Sequence, residues 1–499
     1  MIYDCIIVGA GAAGLSCAAS ADFKINGLIL EKTARPGTKL LMSGGGQCNI
    51  THSGSVKDFI CRYGKNGGKI RSCLYKYNNL HLQAFLHENG IPTITREDGK
   101  VFPKSMNARD ILDMLQQQAM RNGFQLRCNT QVTRLTRCES QNCWCAETKD
   151  NTFLGKNLII ASGGCSYPST GSDGNLFPVL TRDLDVQISP LAPALTPVFV
   201  ENYPYRQLTG ISFENAELQL WRQPVGKEGG AANSSINSTA GGTPAGSTDF
   251  ETIGALTGST DFETNGALTG STDFETNGAP TSSTDFETNG SLTGSTDLKT
   301  GAAPTGSANF KKNNAAQNSK SMPFRKTGSY TGPLLLTAEN FSGPLILNAS
   351  RDFCAGDRIL LNYLYPLKKE EVLSRINSAM KKSNAQLSNL LPKTFRIPKN
   401  FAASIIAQTG EKPKAVASKM TEDTFTISAL GGFRKAMATT GGISLSEINA
   451  KTMECKKHHN LYFIGEMLDI DGETGGYNLQ FAYSSACAAI NSVCASLSE

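Results

Sequence analysis

The sequence is short of the residues that would mark several function classes. Its 499 residues include five histidines and two tryptophans. The fourteen cysteines are scattered, and their one cluster, Cys143-Trp144-Cys145 preceded by Cys138, lacks the paired spacing of a zinc ribbon. Reduced cysteines used as small hydrophobes are the expectation, with no metal. No run of lysine and arginine of the nucleic-acid-binding kind occurs, and the net charge is a modest +5. No nucleic-acid partner is therefore expected. No apolar run reaches the roughly 18 residues a membrane span needs, so no membrane partner is expected either. The first apolar run starts at Ile2, so no signal peptide is expected. A protein of a reducing cytoplasm is the expectation. The length suits two to four domains.

What is present begins at once. Tyr3 to Val8 is a short apolar run, and Gly9-Ala10-Gly11-Ala12-Ala13-Gly14 follows it directly. Leu15 to Ala21 then supplies the small and apolar residues of a tightly packed helix. Strand, glycine turn and helix in that order make a dinucleotide fingerprint. Gly9 permits the tight turn, Gly11 admits a pyrophosphate, and Gly14 lets the helix pack on the strand. Phosphates would sit on the free N–H groups of the helix N-terminus. Glu31 closes the next apolar run, Gly27 to Leu30, about where an acid would hold a ribose hydroxyl pair. No second Gly-x-Gly-x-x-Gly follows a later strand, so a separate nicotinamide domain is not expected. No redox cysteine pair follows the first helix, which disfavours dithiol chemistry.

Three later stretches have the same glycine-loop character. Lys39 to Asn49 holds the consecutive glycines Gly44, Gly45 and Gly46 between Ser43 and Asn49, a loop whose backbone must approach something closely. Asn157 to Ile160 is an apolar strand that ends in Ala161-Ser162-Gly163-Gly164. Near the C-terminus, Ala438 to Ile443 reads as a loop and Asn460 to Ile464 as a buried strand ending in Gly465-Glu466. The polar loop Asp469 to Asn478 then leads into a helix from Leu479 to Ala495, whose N-terminus offers unpaired N–H groups. Asn107 could cap a helix over Ala108 to Asn122, and Glu97-Asp98-Gly99 marks a hairpin within Ile91 to Phe102.

The middle of the chain differs. Strands are expected at Leu195 to Val200, Ala216 to Trp221, Gly332 to Thr337 and Gly343 to Leu347, and helices dominate from Leu360 to Met420. From roughly Pro224 to Lys326 periodicity gives way to Gly, Ser, Thr and Asn. Within it lies a twelve-residue repeat with aspartates at Asp249, Asp261, Asp273, Asp285 and Asp297. The repeated unit offers only one Phe and one Leu to bury, too little apolar surface to offset the entropy of ordering it. A disordered acidic surface loop, dispensable for the nucleotide site, is the expectation.

Taken together these segments resemble the bacterial NAD(P)/FAD-dependent oxidoreductases of the BaiN or aminoacetone-oxidase-like type. The resemblance rests on the Gly9 to Gly14 turn, Lys39 to Asn49 and Ala161 to Gly164. It rests also on Thr440 to Ser444 with Lys451 to Glu454, Gly465 to Gly472, and Gly475 to Gln480. It covers the whole chain except the repeats. It implies an α/β fold with a discontinuous FAD-binding domain of the glutathione-reductase-like, two-dinucleotide-binding type, carrying an inserted β-rich subdomain and a helical subdomain. The boundaries that follow are 1–189 and 435–499 for the FAD domain, 190–352 for the β-rich insert with the repeats at about 224–326, and 353–434 for the helical part.

The resemblance also assigns residues. Gly9, Gly11 and Gly14 would hold the pyrophosphate and Glu31 the adenosine ribose, and Ala12, Ala13 and Lys32 would also contact the cofactor. Lys39, Ser43, Gly44, Gly45, Gly46 and Asn49 would contact the cofactor, as would Val132, Ala161, Ser162, Gly163, Gly465 and Glu466. Gly476, Tyr477, Asn478 and Leu479 would present N–H groups to the pyrimidine edge of the flavin. Gln47 stands where the family usually has Arg, and Ala338 where it often has His, so no catalytic residue is assigned. The expected activity is hydride transfer through FAD on a small organic substrate, with NAD(P)H docking only transiently. The pocket would be lined by Ser43 to Asn49, Thr440 to Ile443 and Tyr477. An RNA-modifying flavoenzyme and a non-catalytic flavin-binding redox sensor are the alternatives.

Overall fold

The structure, a computed structural model, describes residues 1–224, 323–383 and 385–498, and five short strands within the repeats. The larger unit spans Met1–Ser235 and Met322–Glu499. It is built on a seven-stranded sheet. In chain order its strands are β1 (Ile2–Val8), β2 (Gly27–Leu30), β3 (Phe124–Arg127), β4 (Val132–Cys138), β5 (Cys143–Thr148), β6 (Thr152–Ile160) and β7 (Leu461–Phe463). The spatial order is β3-β2-β1-β6-β5-β4, with β7 beside the second half of β6. The strands β3, β2, β1, β6 and β7 are mutually parallel. A parallel strand covered on both faces needs a continuous apolar run, and Cys5, Ile6, Ile7, Leu158, Ile159 and Ile160 are all fully buried. The antiparallel meander β4-β5-β6 continues the sheet to its edge.

Three helices cover the sheet. Helix α1 (Ala12–Ala19) is all small or apolar residues and packs between α2 (Ala108–Arg121) and α3 (Tyr477–Ser498). Asn107 caps α2 by accepting from the Arg109 N–H at 3.0 Å. The alanines and serines of α3 suit a helix buried on most sides, and Ser484 and Ser485 satisfy their hydroxyls on carbonyls one turn back.

Two antiparallel strands, Ile188–Ala194 and Ala438–Ile443, link this domain to a second body. Sequence reading makes the latter a loop; it is a strand, and its glycine reflects close pairing, because a Cβ on Gly441 would lie 2.0 Å from the Pro190 carbonyl oxygen. The second body is a closed barrel in the order 198–200, 341–342, 325–336, 212–222, 358–362 and 423–430. It has its own aromatic core of Tyr205, Phe213, Phe341, Tyr363, Phe401 and Phe425. Four helices, Lys369–Lys382, Leu387–Phe395, Lys399–Thr409 and Pro413–Thr421, form an excursion between its last two strands in sequence. Both of those strands lie within 353–434, the span expected to be helical. The stretch Gly343 to Leu347, expected as a strand, opens the helix Pro344–Ala349. Pro344 has no N–H for a ladder and suits the first helical turn.

The repeat unit is Ile236–Ser321. Its described strands are Phe250–Thr252, Phe262–Thr264, Asp273–Thr276, Phe286–Thr288 and Asp297–Thr300, pairing in parallel with the repeat next but one. Most of the expected disordered loop lies outside the described residues. Its ends are defined, however: strands Ser212–Arg222 and Arg325–Leu336 are antiparallel, with Arg222 opposite Arg325.

The insertion thus leaves and re-enters the barrel at neighbouring positions, as the loop of a hairpin. Loop closure costs only logarithmically with length. Replacing residues 225–324 with a short Gly-Ser linker should leave the melting temperature and the FAD affinity nearly unchanged. A large fall in either, by scanning calorimetry or flavin titration, would show that the repeats stabilise the core.

Candidate functional site

The pairing register brings Leu30, Val8, Ile160 and Phe463 level at the carboxyl ends of β2, β1, β6 and β7. The segments leaving these four ends carry Glu31, Gly9, Ala161 and Glu466. A cavity of about 660 Å³ opens above them, within the roughly 300–1,000 Å³ usual for small-molecule and cofactor sites.

The three motif glycines have different physical causes. Gly9 has φ +107° and a Cβ there would lie 2.5 Å from the Ala161 carbonyl oxygen. A Cβ on Gly14 would lie 2.0 Å from the Gly9 carbonyl oxygen, so Gly14 packs α1 on the turn and does not line the cavity. Gly11 is unlike both. Its φ of −81° suits any residue, and a Cβ there would meet nothing within 4 Å. The protein itself gives no reason for glycine at this position, which faces the cavity. The reason fits a ligand whose phosphates approach the backbone. No side chain caps α1 and no acid occupies its first turn, so its leading N–H groups and positive dipole end are available to an anion.

Glu31 is almost fully buried. One carboxylate oxygen accepts from the Ala10 N–H at 2.8 Å; the other accepts from the Thr33 N–H and hydroxyl, each at 2.8 Å. The acid therefore ties the glycine turn to the next strand while one edge remains on the cavity wall. Lys32 pairs with Asp173 across the cavity rim. Val132 lines the same end with Thr130 and Gln131.

A polar node closes the middle of the wall. Glu466 accepts from Lys39 Nζ at 2.6 Å, from the Ser166 hydroxyl at 2.5 Å and from the Thr439 N–H at 2.9 Å. The Thr439 hydroxyl in turn accepts from the Cys165 and Ser166 N–H groups. The roles of Ser166 and Thr439 are not legible in the sequence, where neither belongs to a recognisable spacing. The triple glycine has φ of +57°, +67° and +89° at Gly44, Gly45 and Gly46, and Gly44 and Gly45 line the cavity. With its amide set to satisfy its neighbours, Asn49 donates to the Thr51 and Val101 carbonyls and accepts from the Gly476 N–H at 3.2 Å. It thereby joins the glycine loop to the start of α3. The first helical bond of α3 runs from the Gln480 N–H to the Gly476 carbonyl at 2.9 Å. The N–H groups of Tyr477, Asn478 and Leu479 precede it and have no helical partner, and of these three residues Asn478 and Leu479 line the cavity, while the Gly476 N–H is taken by Asn49.

Four of the expected cofactor residues do not line the cavity: Gly14, Gly46, Gly465 and Tyr477. Gly46 serves the loop's left-handed turn. Gly465 has φ +67° and lies against Ala13. The Tyr477 ring turns inward, stacked on His52 at 5.3 Å and met edge-on by Phe59 at 5.0 Å, because aromatic surface there completes the core. The expected lining Thr440 to Ile443 is likewise absent from the cavity wall: Gly441 to Ile443 are buried in their strand, and the half-buried Thr440 donates its hydroxyl to Asp471 at 3.0 Å. The outer wall comes instead from residues that sequence reading missed: Leu195, Pro344, Leu347 and Met437. Arg96 reaches from the hairpin, lies 4.0 Å above the Phe102 ring and donates to Gln47 at 2.9 Å. A guanidinium is thus present at the loop where Gln47 replaces the arginine usual in the resembled family. Burial pushes the thiols of Cys48 and Cys165, which flank the site, up to about 11. Both stay protonated near neutrality and are poor nucleophiles.

The HI0933-like protein Rossmann domain family matches residues 3–492 of this chain, and the chain belongs to it. It is an FAD-dependent oxidoreductase of mixed α/β, Rossmann-type flavoprotein fold. Similar curated proteins include the ribosomal RNA dihydrouridine synthase of Escherichia coli K12, 24% identical and covering 100% of this chain and 99% of that one. The 3-dehydro-bile acid delta(4,6)-reductase of Clostridium scindens is 22% identical and covers 96% of each. Among solved structures, the open conformation of a flavocytochrome c3 fumarate reductase aligns with a TM-score of 0.43 and 12% identity, covering 99% of this chain and 78% of that one.

The glycines separate folding from binding. Gly11→Ala should leave the melting temperature of the FAD-free protein within a degree or two and weaken FAD at least about tenfold, or about 1.4 kcal/mol. Gly14→Ala should lower the melting temperature itself, since its Cβ meets backbone. Flavin fluorescence titration and calorimetry on both variants read the two effects; unchanged FAD affinity in Gly11→Ala would show that no phosphate lies there.

Proposed function

We propose that this member of the HI0933-like family is a reductase that saturates a carbon–carbon double bond conjugated to a carbonyl group. The observation that carries the reading is a single cavity. It runs from the phosphate turn at Gly11, past the N-terminus of α3, to an apolar wall supplied by the barrel body and its link. Support comes also from the chemistry that two relatives share. Forming dihydrouridine saturates the uracil double bond beside a carbonyl, and a delta(4,6)-reductase of a 3-dehydro-bile acid saturates double bonds conjugated to a ketone.

FAD supplies the hydride chemistry when bound; the residues supply position and field. The Gly9 to Gly14 turn and the first N–H groups of α1 would hold the pyrophosphate, and Glu31 the ribose. The N–H groups at Tyr477 to Leu479, on the positive end of a 22-residue helix, stabilise negative charge at the adjoining end of the cavity. The buried Leu195 and Leu347, with Pro344 beside them, would keep water from the reacting end. NAD(P)H would dock transiently as electron donor, since the chain has no second dinucleotide turn.

A uracil ring in ribosomal RNA is the favoured acceptor, against the initial expectation of no nucleic acid. Two ribosomal RNA dihydrouridine synthases, from Escherichia coli and Haemophilus influenzae, are 24% and 25% identical over 98% or more of each chain. Arg35 and Arg96 are exposed on the cavity wall, where RNA phosphates would meet them. A small enone is the second reading, favoured by the apolar outer wall.

Anaerobic stopped-flow reduction of the holoenzyme by NADH or NADPH, followed by reoxidation with candidate acceptors, tests this. Ribosomal RNA should reoxidise the flavin with dihydrouridine appearing in the product, and Arg96→Ser should raise the KM for RNA without slowing flavin reduction. Reoxidation by 3-oxo-Δ4 steroids and not by RNA would favour the second reading. Failure of every conjugated acceptor, with rapid reoxidation by disulfides or quinones, would overturn the proposal.

A further inference from the structure

Three cysteines expected to act as small hydrophobes converge in space. Strand β4 ends at Cys138 and β5 begins at Cys143, and the two residues face each other across the hairpin. Cys145 lies opposite Thr136 in the same ladder. Side chains alternate along strands, so Cys138, Cys143 and Cys145 share one face while Arg137 and Trp144 share the other. The core face is filled without the thiols. Trp144 is buried, its Nε1 donates to the His459 carbonyl at 3.2 Å, and the Arg137 guanidinium lies 5.3 Å from its ring.

On the opposite face all three thiols are free, and their sulfur atoms lie within 4.8 Å of one another. Cys138 and Cys145 are partly exposed and Cys143 is buried. Among the described residues no other group of His, Cys, Asp or Glu meets the same geometric condition. Oxygen donors lie at hand: the Ser140 hydroxyl is 3.4 Å from the Cys138 sulfur and the Gln141 amide oxygen 3.9 Å from the Cys143 sulfur.

We propose that Cys138, Cys143 and Cys145 form a site for a soft, thiophilic d¹⁰ cation, with Zn²⁺ held by three thiolates and one oxygen. Zinc–sulfur bonds of about 2.3 Å in tetrahedral geometry set the sulfurs about 3.8 Å apart. The thiols reach that spacing by side-chain adjustment alone. Three thiolates select against Mg²⁺ and Ca²⁺, which take oxygen ligands. Cu⁺, which three thiolates hold without a fourth ligand, shares the chemistry. Binding releases the remaining thiol protons to solvent. The other end of β4, at Val132, lies on the cavity wall, so the cation would clip the hairpin that carries one side of the nucleotide site. The spacing is Cys-x4-Cys-x-Cys, which explains why a search for paired Cys-x2-Cys units does not reveal it.

The test is anaerobic titration of the reduced, full-length FAD protein with Co²⁺, followed by displacement with Zn²⁺. We expect one equivalent bound per chain, with a thiolate-to-cobalt charge-transfer band in the near ultraviolet that Zn²⁺ abolishes. Cys138→Ser and Cys145→Ser, at partly exposed positions where folding is undisturbed, should each remove the band and leave the flavin spectrum unchanged. Cys61→Ser, at an exposed and isolated thiol, should leave it intact. A Cu⁺ arm, read by competition with a colorimetric chelator, distinguishes the two ions. No charge-transfer band, or a band that survives both serine variants, would overturn the site. So would a disulfide among these three cysteines in protein isolated without reductant, coupled with no metal uptake by the reduced chain.

Discussion

The structure depends on the close approach of two strand ends. Gly9 leaves β1 against the carbonyl of Ala161 at the end of β6, at a distance that leaves no room for a Cβ. Glu31, from the end of β2, fixes the same turn by accepting the Ala10 N–H. These contacts aim the start of α1 into open space above the sheet. An acid buried there is stabilised by three hydrogen-bond donors, which is what makes its burial tolerable. Without it the turn would lose the contact that orders it. The geometry of the glycine turn therefore rests on contacts within the protein itself.

The second feature is the discontinuity of the chain. The nucleotide domain is interrupted by the barrel and completed by β7 and α3, so the site depends on residues more than 400 positions apart. Lys39, Ser166, Thr439 and Glu466 meet in one hydrogen-bonded node. Such a pair gains little over an apolar alternative but is costly to break by removing one partner. Its effect is to hold the glycine loop, the end of β6 and the returning C-terminal segment in one arrangement. Asn49 does the same between the glycine loop and α3. The barrel has a separate aromatic core, and it and its link supply the apolar end of the cavity, so the two ends of the cavity have different structural origins.

The sequence exposes the nucleotide half well because its constraints are local. A strand, a turn that needs glycine for backbone reasons, and a packed helix leave a fixed spacing, and Gly9, Gly11, Gly14 and Glu31 fall where that spacing predicts. The wall residues Leu195, Pro344 and Met437 have no such signature, because only the folded barrel brings them to the cavity. Tyr477 shows the limit from the other side. It lies in the right segment, but helix geometry turns its ring into the core while its neighbours Gly476, Asn478 and Leu479 line the cavity. Thr440 to Ile443 misleads for a related reason, since glycines that suggest a ligand loop are there to let two strands approach. Pro344 misleads in the opposite sense, opening a helix within an apolar run that resembles a strand.

The most direct measurement is the stoichiometry and identity of the flavin in the purified full-length protein. The account predicts a yellow protein with about one FAD per chain, released intact by acid precipitation and identified as FAD, not FMN, by its conversion with phosphodiesterase. A colourless protein that stays colourless after incubation with FAD would contradict the account at its centre, as would one that takes up FMN equally well, because FMN has no pyrophosphate to meet the turn at Gly11.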